Sequence, residues 1–153
     1  MNVIFLDVDY VLNSIRKLKE VYEMTGKPHS GKDFPFDETC MKNLKYIVEQ
    51  TNASIVVTSN WRKYEDHKER LLEELEKYNL SSKVIGYTPD FGNRVLEIKE
   101  YLEILGENIN FIILDDYAYM EDLVDYLVST NAYTGLTEED AQIAVKKLNK
   151  IKI

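Results

Sequence analysis

The stretch FLDVDYVLN, residues 5–13, decides the fold, because an apolar run ends there on two carboxylates one residue apart. Residues 3–6 are all apolar, and Asp7 and Asp9 follow them closely. Uninterrupted runs of β-branched and aromatic residues are typical of strands that are buried on both faces of a parallel sheet. We therefore predict a buried parallel strand that delivers two acidic side chains at its carboxyl end.

Further apolar runs repeat this pattern. They are SIVV at 54–57, a run around Val84, FIIL at 111–114 and a short strand at 127–130. Segments with helical spacing of apolar residues separate the runs. The first predicted helix begins near Asp37 or Thr39, and the second occupies the charged stretch 64–78. The third ends at Gly106, and the last begins at the capping box TEED, residues 137–140. The alternation predicts an α/β fold, a Rossmann-like three-layer sandwich with a mainly parallel central sheet.

Length and composition narrow the class of protein. The 153 residues are expected to form one domain, 1–153, in which 13–36 is a small lid insertion. A single cysteine, Cys40, fits a reducing compartment, so we predict a cytoplasmic protein. No segment approaches the roughly 20 apolar residues of a membrane span. The net charge of −8 argues against a broad nucleic-acid-binding face but is compatible with binding one terminal phosphate.

Polar side chains follow three of the apolar runs. They are Asp7 and Asp9 after the first run, Thr58, Ser59 and Asn60 after the second, and Asp115 and Asp116 after FIIL. Right-handed crossovers place the carboxyl ends of parallel strands at one edge of the sheet, where such folds bind their ligands. We therefore expect the three clusters to converge on one site.

The expected crowding of carboxylates indicates a cation. Two pairs of acids brought together repel each other strongly unless a positive charge lies between them. Oxygen ligands combined with substrate phosphate are what Mg²⁺ prefers. We therefore predict a Mg²⁺ site that also attracts phosphate, formed by Asp7, Asp9, Asp115 and Asp116.

A phosphate at this site needs hydrogen-bond donors and a positive side chain. A hydroxyl at the end of the second strand, Thr58 or Ser59, could donate to a phosphate oxygen. Arg94 opens the third helix in GNRVLEIKEYL, residues 92–102, and would offset the phosphate charge. Lys99, further along the same helix, is the alternative.

Four motifs in order resemble the haloacid dehalogenase (HAD) superfamily of phosphatases. They are FLDVDYVLN at 5–13, VVTSNW at 56–61, Arg94 at a helix start and FIILDD at 111–116. The resemblance covers Val3 to about Asp116. The stretches TSNWR, LDD and TGLTEEDAQIAVKKL look closest to small, nearly capless HAD-like domains grouped with RNA-repair-associated proteins.

The resemblance implies a role for each motif in a Mg²⁺-dependent phosphatase. Asp7 would be the nucleophile that forms an aspartyl-phosphate intermediate, and Asp9 the general acid and then base. The phosphate would be held by Thr58 or Ser59 and by Arg94. The Mg²⁺ site would be completed by Asp116, supported by Asp115, with the Asp7 carboxylate and the Asp9 carbonyl. The resemblance also implies that an open site favours a phosphomonoester substrate with bulk of its own, such as a protein, a nucleotide or a polynucleotide end.

Tyr10 departs from the family pattern, which usually has glycine in the turn after the first strand. Glycine permits a positive φ, whereas a tyrosine in that left-handed geometry bears a cost of roughly 1 kcal/mol or more. We expect Tyr10 either to shape a substrate rim with Asn60 and Trp61 or to turn its ring to solvent or a neighbouring loop. Tyr117 and Tyr119 follow the metal motif and are further candidates for the rim.

Two polar residues beside the motifs have structural interpretations. Asn13 either lines the site or makes a hydrogen bond within the local turn. Arg62 is expected to pair with a carboxylate rather than to take part in catalysis, and the neighbouring Trp61 is expected in the core or the pocket wall as the alternative to the rim.

Two alternative functions remain open at this point. One is a catalytically degenerate HAD-fold module that binds phosphate or a partner, in which Tyr10 has spoiled the turn. The other is a response-regulator-like receiver, which shares the parallel sheet and the acidic clusters. The receiver is disfavoured, because its paired acids and its phosphorylated aspartate come from different strands than the arrangement of Asp7 and Asp9.

Overall fold

Strand β1 (Asn2–Leu6) lies at the centre of a five-stranded sheet in the computed structural model, which describes residues 1–150. The other strands are β2 (Ser54–Val57), β3 (Val84–Tyr87), β4 (Asn110–Asp115) and β5 (Leu127–Ser129), in the spatial order β3-β2-β1-β4-β5. All neighbouring strands pair in parallel. The order along the chain reverses at β1, so the ends of β1 and β4 flank the position where such sheets bind ligands.

Helices with defined caps connect the strands. They are α1 (Ile15–Thr25), α2 (Glu38–Thr51), α3 (Glu65–Glu76), α4 (Arg94–Leu105) and α5 (Glu138–Leu148). The Asp37 side chain caps α2 by accepting from the Thr39 N–H, and Thr137 and Asp140 form the capping box of α5. Within residues 1–150, no helix is long and apolar enough to cross a membrane.

The alternating side chains of the strands form a separate core on each face of the sheet. Ile4 and Leu6 of β1 belong to a core that includes the apolar faces of α2, α3 and α5. Val3 and Phe5, which point the other way, pack in a core with Val95 and Ile98 of α4. The molecule therefore has three layers, and the predicted α/β sandwich with a parallel central sheet is confirmed.

Helix α1 lies in the segment 13–36 and is absent from the sequence-based expectations. It begins at Ser14, whose Oγ accepts from the Lys17 N–H, and it ends at Gly26 with φ 69°. None of its residues is fully buried, although Ile15, Leu18 and Tyr22 recur at helical spacing along one face. The backbone N–H groups of Ile15 and Arg16 donate to the carbonyls of Ala132 and Tyr133, which anchor the helix start to a distant loop.

Gly135 packs closely against the loop that follows β1. Its φ is 64°, and a Cβ placed on it would lie 2.5 Å from Cys40 Sγ and 2.9 Å from the Asn13 carbonyl oxygen. The next residue, Leu136, donates its N–H to the Val11 carbonyl at 2.9 Å. Only a residue without a side chain lets the two segments come this close.

We expect Gly135→Ala to lower the free energy of unfolding by roughly 3 kcal/mol, because overpacking is added to the cost of a left-handed alanine. Gly26→Ala is the matched control, since Gly26 has φ 69° but no atom within 4 Å of an added Cβ. The control should lose only about 1 kcal/mol. Urea denaturation of both variants measures the difference, and equal losses would contradict the close approach at Gly135.

Candidate active site

A cavity of about 620 Å³ opens at the carboxyl edge of the sheet, next to the ends of β1 and β4. Its lining comes from the ends of three strands, the start of α4 and the loop after β4. The lining residues are Asp7, Asp9, Tyr10, Ser59, Asn60, Gly92, Asn93, Arg94, Val95, Asp115, Asp116, Tyr117, Tyr119 and Glu121. The structure thus brings together the three polar clusters that lie far apart in the sequence.

Backbone hydrogen bonds carry the parallel pairing beyond the strand ends. The Asp7 N–H donates to the Leu114 carbonyl at 3.0 Å, and the Thr58 N–H donates to the Leu6 carbonyl at 2.9 Å. The strand ends therefore hold the first polar residues as firmly as the sheet itself, which gives the site a rigid base.

Three carboxylates form the acidic centre of the site. One oxygen each from Asp7, Asp115 and Asp116 lies within 4.8 Å of the other two. Asp7 is only 6 % exposed and Asp115 is fully buried. An oxygen-only set of this kind fits a hard divalent cation such as Mg²⁺.

Arg94 lies between two of these carboxylates. It is the first residue of α4, and its Nη1 is 2.6 Å from Asp115 Oδ2 and 3.6 Å from Asp7 Oδ1. Lys99, the alternative cation, does not line the cavity and instead pairs with Asp122 at 2.6 Å. Of the two candidates, Arg94 alone is placed to meet a phosphate beside Asp7.

Burial and crowding shift the titration of these groups. Burial raises the pKa of Asp7 well above its ordinary value, and the neighbouring Asp115 adds to the rise, while Arg94 opposes it. Burial also raises the pKa of Asp115 against the opposing effect of Arg94. For Arg94, burial disfavours the charge, but Asp7 and Asp115 outweigh it and raise the pKa of the guanidinium. Without a metal ion, ionisation of Asp7 is therefore less favourable than ionisation of an aspartate in water, even beside Arg94.

Asp9 is held by two nitrogen donors. Trp61 Nε1 and Asn13 Nδ2 each donate to Asp9 Oδ1 at 3.0 Å. Trp61 is 3 % exposed and does not line the cavity. It is therefore a buried residue behind Asp9 and not a residue of the rim. Asn13 makes the predicted hydrogen bond within the local turn, and that bond reaches an acidic residue of the site.

Tyr10 adopts the left-handed geometry that the family usually gives to glycine, with φ 66°. Its N–H donates to Asn13 Oδ1 at 2.6 Å, and its carbonyl accepts from Thr130 Oγ1 at 2.7 Å. Its ring packs edge-on against Phe34, with the ring centroids 5.8 Å apart, and the residue is part of the cavity lining. These contacts offset the backbone strain, and the turn keeps its shape without glycine.

The two hydroxyl candidates for phosphate binding occupy different environments. Thr58 is fully buried, and within the described residues its Oγ1 has no hydrogen-bond partner. Ser59 lines the cavity and accepts the Trp61 backbone N–H on its Oγ at 3.1 Å. Asn60 lines the cavity next to it and is exposed. Their roles toward a phosphate stay predictions.

Arg62 and Glu97 form a buried ion pair behind the site, 3.2 Å apart. Arg62 also donates to the carbonyls of Thr58, Ser59, Thr88 and Pro89. Glu97 Oε2 accepts the backbone N–H groups of Phe91 and Gly92. The pair therefore joins the loop after β2 to the loop that leads into α4 and Arg94. The expected carboxylate partner of Arg62 is thus Glu97, which sequence spacing alone did not identify.

The rim of the cavity carries exposed aromatic rings. Tyr117 and Tyr119 are 55 % and 68 % exposed, and both line the cavity as expected for rim residues. Glu121, with φ 50°, also lines it and had no signal in the sequence. No residue of the segment 13–36 belongs to the lining, and a lid role for this segment stays a prediction.

Asp7→Asn is expected to stabilise the metal-free protein near pH 7. Because the pKa of Asp7 is raised in the folded state, the folded protein holds this proton more tightly than the unfolded chain does. The free energy of unfolding therefore falls as the pH rises above the unfolded pKa of about 4. Asparagine removes this dependence, and we expect a gain on the order of 1 kcal/mol that shrinks toward pH 4.

Urea denaturation in EDTA across this pH range measures the effect. Asp122→Asn is the matched control, because Asp122 is an acid outside the cavity whose pKa is lowered by the hydrogen bond from Lys99. Loss of that charge should not stabilise the protein. Equal gains in both variants, or a gain that grows toward acid pH, would refute the unfavourable burial of Asp7.

Comparison with known proteins supplies a family. The model of a family described as the HAD domain in Swiss Army Knife RNA repair proteins matches residues 3–141. No curated protein and no solved structure matches the chain. The matched region contains all five strands, except Asn2 at the start of β1, and every residue that lines the cavity. The chain therefore belongs to the family of HAD domains in Swiss Army Knife RNA repair proteins, within a superfamily of hydrolases and phosphatases.

Proposed function

We propose that the protein is a Mg²⁺-dependent phosphatase that hydrolyses a phosphomonoester through a phosphorylated Asp7. The observation that carries this proposal is the cluster of Asp7, Asp115 and Asp116 oxygens within 4.8 Å, with Arg94 beside it. Carboxylates held this close are costly unless a cation joins them, and folds retain such cost mainly at functional sites. The family match supports the same chemistry.

The acidic residues divide the first half of the reaction between them. An Asp7 carboxylate oxygen attacks phosphorus, and the bond between phosphorus and the leaving oxygen breaks as the aspartyl phosphate forms. Asp9 gives its proton to the leaving oxygen, so the product is a neutral alcohol. Arg94, whose Nη1 lies 3.6 Å from Asp7 Oδ1, stabilises the charge of the phosphoryl group.

Water completes the cycle. Asp9, now ionised, removes a proton from a water molecule whose oxygen attacks the same phosphorus. The bond between phosphorus and Asp7 breaks, which restores the carboxylate and releases inorganic phosphate. Held by Asp7, Asp115 and Asp116, Mg²⁺ would offset the negative charge of the phosphoryl oxygens.

The substrate we propose is the terminal phosphate of a nucleotide or polynucleotide. Among the described lining residues, Arg94 is the only lysine or arginine, which suits one phosphate better than a long charged backbone. Tyr10, Tyr117 and Tyr119 line the cavity, and aromatic rings at such positions offer stacking surfaces for a base. The RNA repair proteins that give the family its description support this class.

Purified protein with Mg²⁺ should release phosphate from 4-nitrophenyl phosphate, and Asp7→Asn should reduce kcat by at least roughly a thousandfold, because the attacking oxygen is lost. Asp122→Asn is the matched control and should retain activity, since Asp122 lies outside the cavity lining. If Asp7→Asn is as active as the control, Asp7 is not the nucleophile. A panel of 5′- and 3′-phosphorylated oligonucleotides then tests the substrate class.

Tyr10→Gly separates the proposal from its rival, a degenerate module that binds phosphate without turnover. The turn already has the left-handed geometry, so glycine should leave kcat for 4-nitrophenyl phosphate within about tenfold. Loss of the ring should raise KM for a phosphorylated oligonucleotide more than KM for the aryl phosphate. A gain in kcat of a hundredfold or more would show that tyrosine had disabled the site and would favour the rival.

A further inference from the structure

We infer that Trp61 and Asn13 position Asp9 as the proton donor, by binding one of its carboxylate oxygens and leaving the other for the substrate. The inference deepens the proposed function and rests on it. Trp61 and Asn13 are positioning residues, because each acts through Asp9.

The hydrogen bonds at Asp9 are asymmetric. Both nitrogen donors contact Oδ1, each at 3.0 Å, and no described residue donates to Oδ2. Two donors occupy the lone pairs of Oδ1, so a proton on this carboxyl group resides on Oδ2. Asp9 lines the cavity, and its second oxygen is therefore the one that meets a leaving group.

Both donors are held in one orientation. The indole ring of Trp61 packs edge-on between Phe36 and His67, with centroid distances of 5.5 and 5.0 Å. Asn13 is fully buried, and its Oδ1 accepts the Tyr10 N–H, which directs its Nδ2 toward Asp9. Two donors that are themselves held by packing and hydrogen bonds fix the orientation of the Asp9 carboxyl group.

Trp61 also links Asp9 to Ser59, the hydroxyl candidate for phosphate binding that lines the cavity. Its backbone N–H donates to Ser59 Oγ at 3.1 Å, while its indole N–H donates to Asp9 Oδ1. One residue in the turn Asn60–Lys63 therefore sets the positions of two side chains that line the cavity from different strands. Because small misplacements of reacting groups are costly, a loss at Trp61 should lower kcat/KM for substrates whose leaving group needs a proton.

Trp61→Phe removes the indole N–H and keeps an aromatic ring in the same space. A general acid matters for an alkoxide leaving group and hardly at all for 2,4-dinitrophenolate, which leaves without a proton. We expect kcat/KM, which reports the steps up to departure of the leaving group, to fall about tenfold or more for an alkyl phosphate and less than about threefold for 2,4-dinitrophenyl phosphate.

Phe36→Leu is the matched control, because Phe36 packs against Trp61 without a hydrogen bond to Asp9. Any loss in this variant should be equal for the two esters. Equal losses for the two esters in Trp61→Phe would overturn the positioning role and leave the proposed phosphatase intact. If the native protein releases phosphate from neither ester, the proposed function fails and the inference falls with it.

Fluorescence tests the contact without any need for turnover. Trp61 is the single tryptophan of the chain, so its emission reports on this site alone. Asp9→Asn should shift the emission maximum, because it replaces the carboxyl group that accepts the indole N–H with an amide, and Asp122→Asn should not. An emission spectrum that is unchanged by Asp9→Asn would overturn the inference even in an active enzyme.

Discussion

Repulsion among buried carboxylates is the physical constraint on which the rest of the structure depends. Parallel pairing of β1 with β4 delivers Asp7 and Asp115 to adjacent positions, and neither can retreat into solvent. Arg94 offsets part of the charge, and its place at the start of α4 is secured by the buried Arg62–Glu97 pair. The fold thus holds together carboxylates that would move apart in solution, and a protein preorganises an electrostatic site in this way.

The strands and most helices could be predicted because local sequence and tertiary structure agree there. Apolar runs without polar interruption have few alternatives to a buried strand, and a capping box marks a helix start unambiguously. Helix α1 is absent from the sequence-based expectations, although Ser14 caps its start, Gly26 ends it and its apolar residues have helical spacing. Only its docking, through N–H groups that bond to Ala132 and Tyr133, is non-local. Its position depends on a loop more than a hundred residues away, and no local pattern carries that information.

The acids of the site could be predicted, but their partners could not. Strand ends give the location of a residue to within one side chain, so Asp7 and Asp115 were expected to converge. The choice between Arg94 and Lys99 depended on where α4 begins, because five residues move a side chain about 7.5 Å along a helix. The contact of Trp61 with Asp9 depends on a single short turn after β2, whose geometry follows from packing rather than from residue type.

The turn at Tyr10 has a consequence for how this fold can diversify. Its left-handed backbone is held from both sides, by Asn13 at the N–H and by Thr130 at the carbonyl. The backbone conformation therefore does not depend on which side chain is present at position 10, although this residue lines the cavity. Because neighbouring residues enforce this conformation, the side chain at position 10 can change during evolution without moving Asp7 and Asp9.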